Sequence, residues 1–144
     1  MKWQQVQDSP ARAYVLVLAP GEDPLAEITG FARDRSLGAS QVTAVGAFSR
    51  AVVGWFDRAA KDYRRIGVDE QCEVLSLLGD IAVGADGPTA HLHAVLGLSD
   101  GTTRGGHLLE GEVWPTLEVI VRDSPAELAK VHHPDLGLAL IDPE

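Results

Sequence analysis

The chain has 144 residues, 45% hydrophobic and 23% charged, and carries a net charge of −9 from 12 basic and 21 acidic side chains. This is the composition of one globular domain, large enough to bury about two-thirds of its unfolded surface. It excludes a membrane-spanning helix, since no apolar run approaches the roughly 18–20 residues required, and it weighs against nucleic-acid binding, where affinity comes from basic groups that displace counterions.

The start, Met1-Lys2-Trp3-Gln4-Gln5-Val6-Gln7-Asp8, has no apolar signal core, so no secretion signal is visible. Cys72 is the single cysteine and cannot form an internal disulfide; a reduced, cytoplasmic setting is expected, with Cys72 as a small buried side chain. Arg50, Arg58, Lys61, Arg64 and Arg65 are the candidates for a local basic patch. Without a basic tail or interleaved aromatics, they read as solvated surface.

Arg12 to Ala19 is β-branched and apolar and is stopped by Pro20-Gly21, which predicts a strand covered on both faces. Asp23-Pro24 supplies an N-cap and a first-turn proline, and Leu25, Ile28, Thr29 and Ala32 make a helical stripe. The helix is expected to end near Leu37-Gly38, with the glycine left-handed. Ser40 to Asp57 reads as a long strand-like region with a turn near Ser49-Arg50, and Gly46 marks a bulge or close approach. Short strands are expected at Tyr63–Ile66 and Glu73–Gly79, and a turn at Ala85-Asp86-Gly87-Pro88.

Ala90 to Leu96 alternates and predicts a strand, with Ser99-Asp100-Gly101-Thr102 as the hairpin turn. Val113 to Val121 resumes the pattern, Pro115 marking an edge or bulge. Ser124-Pro125-Ala126-Glu127 has capping-box spacing and predicts a short C-terminal helix ending at His132-His133-Pro134. Leu136 to Ile141 is expected to pack down, leaving Asp142-Pro143-Glu144 loose. The fold class is α+β, a mostly antiparallel sheet with one main helix and that short C-terminal helix, in one domain spanning 1–144.

His91, His93 and His107 surround the hairpin. His91 and His93 share a strand face about 6.5–7 Å apart, close enough for both imidazoles to reach one ion. A two-residue turn at Asp100-Gly101 pairs His93 with Leu108 and sends His107 to the opposite face. A bulge at Gly105-Gly106 would shift the register by one and turn His107 toward the other two; alternatively the imidazoles come from more than one subunit, or each makes an ordinary hydrogen bond. Neutral imidazoles suit zinc and other divalent transition metals, and three of them leave a position for water or a ligand. Glu110, Glu112 and Glu118 are candidate bases or outer partners. His132-His133 reads as capping or surface. No catalytic triad order, P-loop or dinucleotide glycine fingerprint is present.

Val42-Thr43-Ala44-Val45-Gly46-Ala47, Glu73-Val74-Leu75-Ser76-Leu77-Leu78-Gly79, His91-Leu92-His93, Asp100-Gly101, Gly105-Gly106-His107-Leu108 and Thr116-Leu117-Glu118-Val119 occur in this order. In that order the chain, from about Arg12 to Ser124, resembles the PPC (plants and prokaryotes conserved) domain, the domain that follows the AT-hooks of plant nuclear-localised proteins. The resemblance implies a PPC-like fold assembled as a homotrimer. It further implies a metal, taken to be zinc, on His91, His93 and His107. Plant relatives bind A·T-rich DNA through a basic arm suited to the minor groove; this sequence shows none, so direct DNA binding is not expected, though a DNA-binding, protein or small-molecule partner stays open.

The leading expectation is a trimeric zinc-binding module with a binding or regulatory role. The alternative is a metal-dependent enzyme acting on a small molecule through an open three-histidine site. Val52, Trp55, Phe56 and Trp114 are candidates for an apolar trimer contact or for core.

Overall fold

A computed structural model describes residues 1–8 and 11–142, with the backbone alone for 3–8. In chain order the elements are β1 (Lys2–Asp8), β2 (Arg12–Leu18), α1 (Pro24–Arg35), β3 (Ala39–Asp57), β4 (Asp62–Val68), β5 (Cys72–Gly84), β6 (Gly87–Gly97), β7 (Thr103–Asp123), β8 (Lys130–His133) and β9 (Leu138–Ile141). The main antiparallel sheet runs β1-β2-β7-β6-β5-β3-β4, and β3 also pairs with β7. The pairings β7–β6, β6–β5, β5–β3 and β3–β7 therefore close a ring, which β1 and β2 flank on one side and β4 on the other.

Two strands carry that ring because they are long. β3 passes through Ser49-Arg50 without the expected turn, and β7 runs unbroken where two separate strands were expected. Their shared ladder, Ser40↔Asp123 through Gly54↔His107, bends instead at register shifts. One shift falls at Gly46, where an added Cβ would lie 2.3 Å from the Thr116 carbonyl oxygen. Pro115 sits in the same break, beside residues that a continuous ladder would need as donors.

The helix forms where its caps place it. Asp23 Oδ1 accepts from the backbone N–H groups of Leu25 (2.8 Å) and Ala26 (3.0 Å), and Pro24 needs no donor there. The left-handed C-terminal residue is Ser36 (φ 52°), two residues before the glycine expected to take that role. Its N–H and that of Leu37 close the last turn on Arg33 and Ala32 carbonyls. Ile28, Phe31 and Ala32 are buried against the sheet, with Phe31 edge-on to Tyr14 (5.2 Å).

Side-chain alternation then divides the sheet in two. Leu16, Val42, Leu77, Leu92, Leu108 and Val119 face the core that also takes in Ile28, Phe31 and Ala32 of α1, and all six are fully buried. Their neighbours Val17, Thr43, Leu78, His93, His107 and Ile120 face the other way. The alternation expected for Ala90–Leu96 on β6 agrees with this division, with His91 and His93 on the same side.

The C-terminal helix does not form; 124–129 is irregular and β8–β9 make a two-stranded antiparallel hairpin. The local signal is present, since Ser124 Oγ accepts from Ala126 N–H (3.2 Å). Longer-range bonds outcompete it: Leu128 N–H donates to Gly38 O (3.0 Å) and Val83 N–H to Leu128 O (2.8 Å), tying the segment to β5 in extended form. Of the end expected to be loose, Asp142 donates its N–H to Ala129 O (3.1 Å), and 143–144 lie outside the described residues.

Candidate metal centre

The hairpin between β6 and β7 determines where His107 points. Leu98 N–H donates to Thr102 O (2.9 Å) and Gly101 N–H to Leu98 O (3.0 Å), leaving Ser99-Asp100-Gly101 as a three-residue loop. Gly101 is left-handed (φ 83°), a conformation that costs other residues about 1–2 kcal/mol. Asp100 Oδ1 fastens the loop by accepting from both Thr102 N–H and Oγ1–H. Gly97 consequently pairs with Thr103, and the ladder runs without a break to His93↔His107. Directly opposed residues share a face, so the two imidazoles meet.

The expected bulge at Gly105-Gly106 is thus absent: the three-residue loop makes the one-residue correction. Those glycines serve close approach instead. An added Cβ on Gly106 would lie 2.4 Å from Gly54 O, and one on Gly105 2.9 Å from Ala94 O, where β7 passes between β3 and β6.

His91, His93 and His107 converge within one chain. Ring centroids are 5.1 Å (His91–His93), 5.0 Å (His91–His107) and 5.4 Å (His93–His107) apart. One nitrogen from each lies within 4.8 Å of the others. Tyr63 of β4 stacks on His107 (4.6 Å) and meets Phe56 edge-on (5.3 Å), so an aromatic wall fixes that ring. Burial pushes the Tyr63 phenol above its usual pKa.

Electrostatics favour the neutral form of His93 and His107. Burial, followed by the neighbouring His91, His93 and Lys130, lowers His107 to about 4. Burial and then His91 lower His93 as well. His91 Nδ1 lies 3.2 Å from Asp80 Oδ2, and Lys130 Nζ lies 2.8 Å from Asp80 Oδ1. Burial alone would raise the Asp80 carboxyl; the hydrogen bonds from His91 and Lys130 outweigh it and hold the carboxyl below its usual range.

His107 Nδ1 is buried without a hydrogen-bond partner among the described residues. Such a nitrogen is costly unless something satisfies it. An unpartnered buried imidazole nitrogen within a cluster of three imidazoles fits a late first-row divalent ion. Three protein ligands would leave a fourth position for water or an added ligand.

The glutamates proposed from sequence do not join this cluster. Glu110 pairs with Arg65, and Glu112 accepts from Ser49 Oγ (2.8 Å) and Arg50 Nε (3.0 Å). Glu118 lies across from Val17 and Val45, on a different row of the sheet. His132 and His133 lie on β8 outside the group. The acid that does reach is Asp80, and sequence reasoning missed it. Its signal was present: a tight turn at Ala85-Asp86 pairs Gly84 with Gly87, and counting back pairs Asp80 with His91. Lys130 was missed because its segment was read as helix, and Tyr63 because β4 is adjacent only through β3.

The basic side chains are largely engaged. Arg64 pairs with Asp57 (3.8 Å) and covers the exposed Trp55 ring (5.3 Å), while Lys61 Nζ donates to Pro134 O (3.1 Å). Cys72 is a buried free cysteine whose thiol burial pushes up, which suits packing rather than nucleophilic chemistry. Among the described residues no helix is long and apolar enough to cross a membrane.

Known proteins share this fold. A metal-containing protein from Archaeoglobus fulgidus superposes with a TM-score of 0.84 at 29% identity, covering 99% of this chain and 97% of its own. A plant- and prokaryote-conserved (PPC) protein from Pyrococcus horikoshii gives 0.86 at 24% identity, covering 99% and 96% respectively. The bifunctional protein GlmU of a Synechococcus strain is 36% identical over 123 residues, 84% of this chain. The chain spans only 18% of that relative's length. The model of the Plants and Prokaryotes Conserved (PCC) domain matches residues 5–125. The chain belongs to that family, whose domain is also written PPC.

Proposed function

We propose that this protein is a metal-binding module, holding zinc or a similar divalent transition metal on His91, His93 and His107, and that it works as a binding or regulatory domain within a homotrimer in the cytoplasm. The convergence of three imidazoles from one chain on one sheet face carries the reading. When bound, the ion supplies Lewis acidity and a position for an exogenous ligand. The relative in which a similar sequence forms 18% of a bifunctional protein supports use as a module joined to other activities.

Exposed apolar surface beside the site supports the assembly part of this reading. Val45 (55% exposed), Leu75, Leu78 (54%), Val95, Val17 and Ile120 leave apolar surface on the outer face. Register joins it to the site, with Ile120 opposite Thr43, Thr43 opposite Leu78, and Leu78 opposite His93. Exposed apolar surface of this kind is what an interface between subunits would cover. Trp55 and Trp114 are also exposed, whereas Val52 and Phe56 are half-buried.

The enzyme reading is less well supported. Asp80 is committed to His91 and Lys130, and Glu110 and Glu112 to arginines, so these acids are not free to take a proton from a ligand at the fourth position. Pairing of Arg50, Arg64 and Arg65 with acids likewise weakens the direct DNA reading.

Elemental analysis of purified protein tests the site. Wild type should carry stoichiometric metal that His93→Ala loses; equal metal in both removes His93 as a ligand. Sedimentation tests the trimer, and a gel shift at low salt should show no DNA complex. Turnover of a small-molecule library abolished by chelation would instead favour the enzyme.

A further inference from the structure

Asp80 and Lys130 stand outside the three histidines, yet strand register sets Asp80 against one of them, and Lys130 reaches Asp80. Asp80 is opposite His91 in the β5–β6 ladder, and its carboxylate lies 3.2 Å from His91 Nδ1. Lys130 arrives from β8, its side chain only 10% exposed, and its Nζ lies 2.8 Å from the other carboxylate oxygen. Ordering a lysine at that depth costs side-chain entropy and desolvation, which the carboxylate must offset.

Lys130 also lies beyond residue 125, where the family match ends. It is brought in by the extended segment that Gly38 and Val83 bond in place of a helix.

We propose that Asp80 is the positioning residue of the metal centre: it holds His91 with its proton on Nδ1 and its lone pair on Nε2 toward the ion, and Lys130 of the C-terminal hairpin fixes Asp80 for that task. The inference rests on the metal reading above. The physical logic is that an imidazole ligates with one nitrogen only if the other keeps its proton, and a carboxylate acceptor enforces that tautomer and raises ligand basicity. Without Asp80, His91 has two tautomers and a freer ring. Without Lys130, the carboxylate is still charged but less constrained, so the loss is smaller.

The test uses the full chain and zinc alone. Zinc affinity is measured by competition with a chromophoric chelator for wild type, Asp80→Ala, Asp80→Asn, Lys130→Met and Lys130→Arg. Nitrogen-15 spectra of the metal-free forms report the His91 tautomer, and thermal melts of the same samples report folding. Asp80→Ala should weaken zinc by about 10–100-fold, the usual effect of losing an outer-sphere partner, and should abolish the single Nδ1–H tautomer. Asp80→Asn, nearly isosteric, should fall between wild type and the alanine variant and covers the case in which alanine does not fold. Lys130→Met should lose several-fold, and Lys130→Arg should recover most of it.

Folded Asp80 variants with wild-type zinc affinity and an unchanged His91 tautomer overturn the inference and leave the metal site intact. A wild type that takes up no zinc or other divalent transition metal overturns both.

Discussion

The two faces of the sheet are built from the same strands, yet they obey different constraints. On the inner face, Leu92 and Leu108 pack beneath α1 with no exposed surface, and each position is fixed by its neighbours. One residue away, His93 and His107 share the outer face with Leu78, a large apolar side chain left 54% exposed. The inner face therefore determines whether the chain folds. The outer face has room for polar chemistry because the fold does not depend on filling it.

Substitutions one residue apart should break this contrast most visibly. Leu92→Ala removes a fully buried side chain and should cost about 2–5 kcal/mol in urea unfolding. Acid should act next most strongly. Metal-free His107 titrates at about 4 in the fold and near 6.5 unfolded. Above 6.5 both states are neutral and its contribution is fully present. As pH falls from 6.5 toward 4, the unfolded chain binds a proton that the native chain refuses, and stability drops by up to about 1.4 kcal/mol per pH unit. Denaturation in chelator at pH 7, 6 and 5 should show this slope, and His107→Gln should flatten it.

Gly101→Ala should cost about 1–2 kcal/mol through its left-handed backbone, read as a lowered urea midpoint. The smallest effect on the folded chain belongs to Leu78→Ser, within about 0.5 kcal/mol as for other surface positions. The same variant should nevertheless lower the sedimenting mass if that face is the assembly surface. An unchanged mass places the contact elsewhere, with exposed Trp55 and Trp114 the remaining aromatic candidates.

Much of this was readable in the chain itself, because strand parity is a local property. Alternation at Ala90–Leu96 puts His91 and His93 together without any tertiary knowledge. His107 required more: its face depends on the hairpin loop, and Asp100-Gly101 is compatible with either two or three loop residues. The order of motifs identified the family, although the local bulge imagined at Gly105-Gly106 was the wrong device for the right outcome. The C-terminal hairpin was illegible because Ser124 and Glu127 satisfy a helix-start pattern, while the bonds that win come from Gly38 and Val83. With that segment misassigned, Lys130 had no route to Asp80.

Leu78 lies directly beside His93. Any subunit or ligand that covers the apolar half of the face therefore also narrows the path by which an ion leaves the imidazoles. On the proposed metal-binding and assembly reading, release would then be a matter of kinetics as much as affinity, slower in concentrated protein than after dilution.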